Sequence, residues 1–206
     1  MKKFELTSEF ITNIFGTKLF RIKALIEFGN VKAGELGGFV EKEENLSQDG
    51  NAWVYDNARV CGDARVHGNA RVYDNARVYD NAWVYGNAWV YDNARVYGDA
   101  CVYGDARVCG DACVYGDARV CGDARVCGDA CVYGDAGYAT VHGFGSEYRT
   151  TTFFKTKAGV GVKCGCFYGN LSEFRKKVVE THGETKKAKE YLMLADLMEF
   201  RFSDNS

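Results

Sequence analysis

The sequence predicts an all-β solenoid, because one six-residue unit repeats without interruption through the middle of the chain. The unit reads (Asp/Asn)-Ala-(Arg/Trp/Cys)-Val-(Tyr/Cys/His)-(Gly/Asp) and occurs fourteen times between Asn51 and Ala136. Self-similarity at a short fixed period is typical of solenoids, in which each unit buries its apolar face against the neighbouring turns. Six residues are too few for a helical hairpin, whereas alternating side chains fit a short strand.

Each hexad predicts one short strand followed by a two-residue corner. Ala and Val face inward, and the residues on either side of Val face outward. The corner falls at Gly-Asp or Asp-Asn, because Gly and Asn tolerate a positive φ. An aliphatic residue with a small residue four positions later, as in Val60 and Ala64, resembles the hexapeptide-repeat left-handed parallel β-helix family. The resemblance implies that three hexads form one triangular coil.

The open ends of a β-solenoid expose unpaired strand edges and an uncovered core, so both ends need a cap. Residues 1–33 predict a small N-terminal cap in which KLFRIKALIEF forms a strand that pairs with FELTSEF or lies over the first coil. Residues 34–136 predict the solenoid. Counting back in sixes from Ala52 places Leu46 and Val40 at the small inward position of degenerate first hexads.

Residues 137–206 predict a C-terminal ββαα unit. TTTFFKTK and GVGVKCGCFYG alternate as in a β-hairpin, with its turn near Ala158 and Gly159. Ser172 is the predicted N-cap of the first helix, and Thr185 is that of the second.

Composition and cysteine usage narrow the functional class. The chain has 206 residues, no proline and a net charge of -2, with neither a long apolar segment nor a signal-like start. These features predict a soluble cytoplasmic protein without membrane contact. Seven of the nine cysteines take outward repeat positions that Arg or Tyr fill elsewhere, and the eighteen-residue spacing of Cys109 and Cys127 and of Cys113 and Cys131 could bring thiols of neighbouring coils close. An odd total in an unexported chain nevertheless predicts free thiols. We expect no cofactor and no metal site, since no set of Cys and His residues has zinc-ligand spacing.

Folding three hexads into each coil sorts the outward residues into three faces. The first face carries Trp53, Arg71, Trp89, Arg107 and Arg125 beside Tyr55, Tyr73, Tyr91, Cys109 and Cys127. The second face carries Arg59, Arg77, Arg95, Cys113 and Cys131 beside Cys61, Tyr79, Tyr97, Tyr115 and Tyr133. The third face carries Arg65, Trp83, Cys101 and Arg119 beside His67, Tyr85, Tyr103 and Cys121.

The second face holds the main candidate site, a row of arginines beside a row of tyrosines. Tyr, Trp and Arg are enriched at the centres of protein interfaces. The predicted partner-binding residues are Arg59, Arg77, Arg95, Tyr79, Tyr97, Tyr115, Trp83 and Trp89. A purely structural alternative is that Asp56, Asp74 and Asp92 neutralise the arginines across the surface. Direct binding of duplex nucleic acid through the solenoid is disfavoured, because the repeat has 12 Asp against 8 Arg and no Lys.

The segments outside the repeat carry a second resemblance. LGGFVEKEENLSQDGNAWVYDNARV, TTTFFKTK, VKCGCFYG and ETHG, in this order around the hexads, resemble a group of hypothetical proteins of phages and prophages of gut bacteria. The resemblance covers nearly the full length. It implies a non-catalytic protein that binds and inhibits a host defence complex, as an anti-CRISPR protein does.

Two other functions remain open. Many hexapeptide-repeat proteins are acyltransferases, which implies a histidine base and a loop projecting from the coil. Here only His67 and His142 lie in or near the repeat, and no insertion interrupts the hexads. The sequence therefore favours a non-enzymatic role without excluding an enzyme. The third possibility is a self-assembling structural or virion-associated protein, forming a dimer or a trimer.

Overall fold

The structure, a computed structural model, describes residues 2–145, 147 and 149–203. It begins with an antiparallel hairpin of β1 (Phe4–Thr12) and β2 (Lys18–Ala24), and β3 (Leu36–Val40) pairs antiparallel with β2. The predicted pairing of the two N-terminal segments is thereby confirmed.

The repeat forms fourteen short strands, one for each hexad. In chain order they are β4 (Trp53–Val54), β5 (Arg59–Val60), β6 (Arg65–Val66), β7 (Arg71–Val72), β8 (Arg77–Val78), β9 (Trp83–Val84), β10 (Trp89–Val90), β11 (Arg95–Val96), β12 (Cys101–Val102), β13 (Arg107–Val108), β14 (Cys113–Tyr115), β15 (Arg119–Val120), β16 (Arg125–Val126) and β17 (Cys131–Tyr133).

Every third strand pairs in parallel and in register, which makes three sheets. β4, β7, β10, β13 and β16 form the first sheet, and β6, β9, β12 and β15 form the third. β5, β8, β11, β14 and β17 continue through β3 into the N-terminal hairpin, giving an eight-stranded second sheet. The predicted parallel β-solenoid and its three faces are confirmed, whereas the left-handed sense of the coil stays a prediction.

Apolar repeat positions fill the interior of the solenoid. From Ala52 to Val132 every repeat Ala and Val is fully buried. The corner residue that follows the outward Tyr, Cys or His has a positive φ, which Gly adopts without cost and Asp tolerates locally. In the Asp-Asn corners it is Asp, for example Asp74 at φ 59°, that takes this conformation.

The first coil departs from the predicted register. Val40 pairs with Val60 and Leu46 pairs with Val66, both in parallel. Val40 and Leu46 therefore take the Val position of the hexad, and counting back in sixes was wrong by two residues. Two extra residues enter where the chain turns before Ala52.

A buried lysine and two phenylalanines cover the N-terminal end. Lys3 is 2% exposed, and its Nζ donates to the carbonyl of Ala52 at 3.1 Å and to the carbonyls of Asp49 and Gly50. Phe4 and Phe28 pack edge-on against Trp53, with ring centroids 6.1 and 5.3 Å away. Trp53 stands at an outward repeat position, yet the cap buries it completely.

The described residues of the C-terminal unit form four strands and two helices. They are β18 (Tyr138–Val141), β19 (Thr151–Thr156), β20 (Gly159–Cys164), β21 (Phe167–Asn170), α1 (Leu171–His182) and α2 (Lys186–Phe202). The predicted hairpin is β19 with β20, and two further strands extend it into an antiparallel sheet. In the described part of the chain, neither helix is long and apolar enough to cross a membrane.

The caps of the two helices differ in how well the sequence predicted them. Asn170, not Ser172, is the N-cap of α1, because its Oδ1 accepts the Glu173 N–H while the Glu173 carboxylate accepts the Asn170 N–H. The predicted Thr185 N-cap of α2 is confirmed, since its hydroxyl accepts from the Ala188 N–H.

The terminal sheet closes the far end of the solenoid. Phe154 is fully buried and belongs to the solenoid core, whereas its neighbour Phe153 packs towards the helices. Thr156 forms an antiparallel bridge with Ala130, and the Thr152 hydroxyl accepts the Arg125 N–H at 3.0 Å. The backbone groups and the core of the last coil are thus covered by β19.

Candidate functional site

Arg59, Arg77 and Arg95, called the arginine ladder below, stand side by side on the second face. They begin strands β5, β8 and β11, which pair in register with Arg59 opposite Arg77 and Arg77 opposite Arg95. Neighbouring parallel strands lie about 4.8 Å apart. Two like charges at such a spacing repel by about 1 kcal/mol even in water. The arginine ladder is therefore a local concentration of positive charge.

The corner aspartates near the arginine ladder are engaged by the backbone. Asp74 Oδ2 accepts the Asp92 N–H at 3.3 Å, and Asp92 Oδ2 accepts the Gly110 N–H at 3.0 Å. Among the residues that the structure describes, no carboxylate lies within 4.0 Å of an arginine-ladder guanidinium. The alternative in which Asp56, Asp74 and Asp92 neutralise these arginines is therefore not what the structure shows.

The turn between β1 and β2, residues 13–17, is called the hairpin tip below. Asn13 Oδ1 accepts the N–H groups of Phe15 and Thr17, both at 2.9 Å, and Gly16 completes the turn at φ 83°. These bonds hold the backbone while Ile14 and Phe15 project outward, 93% and 85% exposed. Two neighbouring apolar side chains on a fixed turn are typical of a contact surface.

The hairpin tip and the arginine ladder line one cleft, called the second-face cleft below. Its volume is about 520 Å³, and its lining comprises Asn13, Ile14, Phe15, Thr17, Leu19, Glu41, Arg59, Cys61, Gly62, Arg77, Tyr79, Asp80 and Arg95. Its two carboxylates have backbone partners, since Glu41 accepts the Gly62 N–H at 2.7 Å and Asp80 accepts the Gly98 N–H at 3.2 Å. The cleft thus places guanidinium groups that have no carboxylate partner among the described residues beside an apolar wall.

Tyr79, Tyr97 and Tyr115, called the tyrosine ladder below, run beside the cleft. Successive ring centroids are 4.9 and 5.1 Å apart, and the planes are inclined by only 2° and 8°. Burial of the Tyr79 hydroxyl, together with the neighbouring Tyr97 phenol, raises the pKa of Tyr79 to about 12. The stacked rings form a flat amphipathic strip.

The structure separates the two predicted tryptophans from this site. Trp83 lies on the third face, where its ring packs against Arg65 at 5.6 Å and edge-on against His67. Trp89 lies on the first face between two guanidinium groups, those of Arg71 at 5.3 Å and Arg107 at 4.8 Å. Six of the eight predicted residues thus share the second face, and the two tryptophans do not.

The histidines occupy three separate places. His67 stacks on Tyr85 with ring centroids 5.0 Å apart, and burial together with nearby Arg65 lowers its pKa. His142 Nδ1 lies 3.1 Å from the Thr150 hydroxyl, and His182 stacks on Tyr191 at the end of α1. None of them lines the second-face cleft as the structure describes it. The described ranges also contain no group of three His, Cys or carboxylate side chains placed to hold a metal ion.

Two comparisons with known proteins bear on the repeat. Residues 52–68, 70–86, 88–104, 106–122 and 118–134 match the family model of the YdcK β-solenoid repeat. The repeats of the solenoid are thus similar to the YdcK β-solenoid repeat. The matched residues stop short of both ends of the chain, so the N-terminal cap and the C-terminal unit have no counterpart in this match.

A curated relative is similar over part of the same chain. The uncharacterized acetyltransferase YdcK of Escherichia coli strain K12 is 40% identical over 63 residues, which cover 27% of this chain and 19% of the relative. The chain thus spans about a fifth of the length of the relative it matches. Neither comparison bears on the predicted phage setting, which stays a prediction.

The sequence predicted the arginines of the site but not Ile14 and Phe15, which form the apolar side of the cleft. Ile14 and Phe15 stand between Asn13 and Gly16, a turn signal around two apolar residues that no core position explains. That signal could have marked an exposed apolar tip. Its placement over the arginine ladder depends on how the hairpin curves, which the local sequence does not specify.

Proposed function

We propose that this protein is a non-catalytic interaction module that binds a partner protein on its second face. The observation that supports the proposal best is the unpaired arginine ladder, which lines a cleft beside the exposed hairpin tip. Unpaired guanidinium groups next to apolar side chains are typical of interface centres, where Arg and aromatic residues contribute most of the binding energy.

The chemistry of the cleft suits an acidic segment that also carries an apolar side chain. Carboxylates of the partner would form charge-assisted hydrogen bonds with the arginine ladder. An apolar side chain would pack between Phe15 and Tyr79. Because the coils and the turn hold the backbone that carries these groups, binding orders their side chains without also ordering the chain.

A finer form of the proposal concerns the identity of the partner. The resemblance of the terminal segments to phage and prophage proteins supports a host defence complex as the target and inhibition as the outcome. The second-face cleft would then occupy a surface that the complex needs for its own assembly or substrate.

The experiment is a quantitative pull-down from a bacterial lysate with a matched control. The test variant combines Arg77→Ala, Arg95→Ala, Tyr79→Ala and Tyr97→Ala. The control combines Arg107→Ala, Arg125→Ala, Tyr85→Ala and Tyr103→Ala, which removes the same residue types from the other two faces. Both variants keep the inward Ala and Val residues, and circular dichroism verifies that each is folded.

We expect a stoichiometric partner whose affinity falls at least about tenfold in the test variant and is unchanged in the control. Binding should also weaken as salt concentration rises, because exposed charges are screened. Equal retention by the two variants would overturn the second-face assignment. Absence of any partner, with the protein oligomeric in sedimentation, would instead support a self-assembling dimer or trimer.

A second candidate function is acyl transfer, which the similarity to an uncharacterized acetyltransferase favours. In this alternative, phosphate groups of an acyl donor such as coenzyme A would meet the arginine ladder. A general base must lie within hydrogen-bond reach of the acceptor, and the described lining of the cleft contains no histidine. Titration calorimetry with coenzyme A separates the two functions, since a non-catalytic module should give no binding heat.

A further inference from the structure

Two cysteines of the first face point at each other across neighbouring coils. Cys109 and Cys127 directly follow β13 and β16, which pair in parallel and in register. Their Sγ atoms are 2.7 Å apart, and the Cys109 N–H donates to the Val126 carbonyl at 2.9 Å. In-register parallel strands place paired Cα atoms about 4.8 Å apart, inside the range of about 4.4–6.8 Å that a disulfide spans.

A second pair with the same spacing behaves differently. Cys113 and Cys131 are in-register partners in β14 and β17. Their Sγ atoms donate to the carbonyls of Asp111 and Asp129, at 3.8 and 3.7 Å. Sequence spacing therefore does not by itself bring two thiols together. Cys113 and Cys131 can serve as a control pair for Cys109 and Cys127.

The surroundings of the first pair favour a thiolate. Cys109 is 8% exposed and Cys127 is half-buried. The hydrogen-bond contact with Cys127 Sγ lowers the pKa of Cys109 to about 7, and the contact with the Tyr91 hydroxyl acts in the same direction, although burial opposes them. The Lys163 ammonium on β20 acts in the same direction. The same contact raises the pKa of Cys127, so Cys109 ionises before Cys127.

We propose that Cys109 and Cys127 are a redox site that hydroperoxides oxidise to a disulfide joining two neighbouring coils. Cys109 Sγ attacks one peroxide oxygen, the O–O bond breaks, and water or an alcohol leaves while Cys109 becomes a sulfenic acid. Cys127 Sγ then attacks the Cys109 sulfur, the S–S bond forms, and a second water leaves with the Cys127 proton. The thiols lose two electrons and two protons, which the peroxide takes up.

The disulfide would fasten the last coils of the first face. All nine cysteines are free in the structure, so the described state is the reduced one. Closing a loop between positions 109 and 127 restricts the unfolded chain and slows the opening of the C-terminal coils. Oxidation would thus tighten the end of the solenoid on which the terminal unit sits.

Trypsin would cleave after Arg107, Arg119, Arg125 and Arg149. Cys109 and Cys113 would then lie on one peptide and Cys127 and Cys131 on another, so a linked pair of peptides would not show which cysteines are joined. The test therefore compares two double variants of the full chain. One is Cys113→Ser with Cys131→Ser, which keeps the proposed site, and the other is Cys109→Ser with Cys127→Ser. Each folded protein is treated with hydrogen peroxide, alkylated, digested and analysed by mass spectrometry.

We expect the first variant to form a linked peptide pair, about 2 Da lighter than the two thiol peptides together, that dithiothreitol reverses. We expect the second variant to form no link between Cys113 and Cys131 under the same treatment. In hydrogen exchange, residues 107–126 should become at least about threefold slower only in the first variant. Equal linkage in both variants, or linkage of Cys109–Cys127 only after denaturation, would overturn the proposal.

Discussion

At the residue scale, the two outward positions of each hexad decide what the solenoid presents to a partner. Stacking at one-coil spacing turns a single Tyr into a ladder of parallel rings and a single Arg into a row of like charges. Tyr97 is stacked between Tyr79 and Tyr115, so both faces of its ring are covered by a neighbouring ring. Burial raises the pKa of Tyr97 as well as that of Tyr79.

We predict that the tyrosine ladder makes the fold sensitive to alkali. The ordinary pKa of tyrosine is about 10, and that of Tyr79 is raised to about 12 in the folded protein. Between these values the folded chain binds more protons than the unfolded chain. The contribution of the protonated Tyr79 to the free energy of unfolding is therefore fully present below about pH 10 and is lost as the pH rises towards 12.

Urea unfolding at pH 9 and at pH 11, with phenolate absorbance recorded in parallel, measures this effect. The variant Tyr79→Phe should lose less stability between the two pH values than the unaltered protein. Equal losses would show that Tyr79 titrates normally.

At the element scale, the unit of the fold is one strand with one corner. The corner glycines form columns, and Gly104 lies so close to the next coil that an added Cβ would be 2.9 Å from the Gly122 nitrogen. Gly122 ends the same column, and a Cβ there would meet nothing within 4 Å. Both glycines have a positive φ, 72° and 62°. An alanine would therefore be strained at either position, but it would be crowded by the next coil only at position 104.

We predict that Gly104→Ala destabilises the protein more than Gly122→Ala. Both changes carry the cost of a left-handed conformation, about 1–2 kcal/mol. Gly104→Ala adds an overpacking cost of about 1–3 kcal/mol, because the backbone of the neighbouring corner must move. Thermal unfolding of the two variants measures the difference. Equal shifts would mean that the coils separate at no cost.

At the scale of the whole molecule, both ends of the solenoid core are covered by other segments of the chain. At the first coil, Phe4 and Phe28 pack against Trp53. At the last coil, Phe154 is part of the solenoid core. Each coil contacts only its neighbours, so the stability of a repeat array is a sum of local terms. Removing the aromatic side chains that cover one end should therefore lower the hydrogen-exchange protection of the nearest coils before that of the distant ones.

We predict that Phe154→Ala opens the C-terminal coils selectively. Removing a fully buried Phe costs about 3–5 kcal/mol, and residues 117–133 should lose hydrogen-exchange protection while residues 57–80 keep it. The control is Phe200→Ala on the outer side of α2, where the side chain is 72% exposed and its loss should change little. Uniform loss of protection along the solenoid would contradict this picture.

The sequence predicted the arginines of the candidate site but not its apolar side chains. Position within the hexad placed Arg59, Arg77 and Arg95 on one face, because an unbroken period leaves no freedom in the register. The contribution of Ile14 and Phe15 was not predictable, since they lie more than 40 positions before Arg59 and reach it through a curved hairpin. The separation of Trp83 and Trp89 from the site follows directly from the period.

The sequence by itself determined the solenoid, its three faces and its buried Ala and Val rows, because a strict period leaves one register in which the apolar positions are all covered. Tertiary structure alone decided the rest. It buried Trp53 under the cap and shifted Val40 and Leu46 by two positions. It also turned Cys109 towards Cys127 while Cys113 faces its own backbone. The burial of Trp53, the register of the first coil and the approach of Cys109 to Cys127 depend on contacts between separate segments of the chain, and a local pattern carries no information about such contacts.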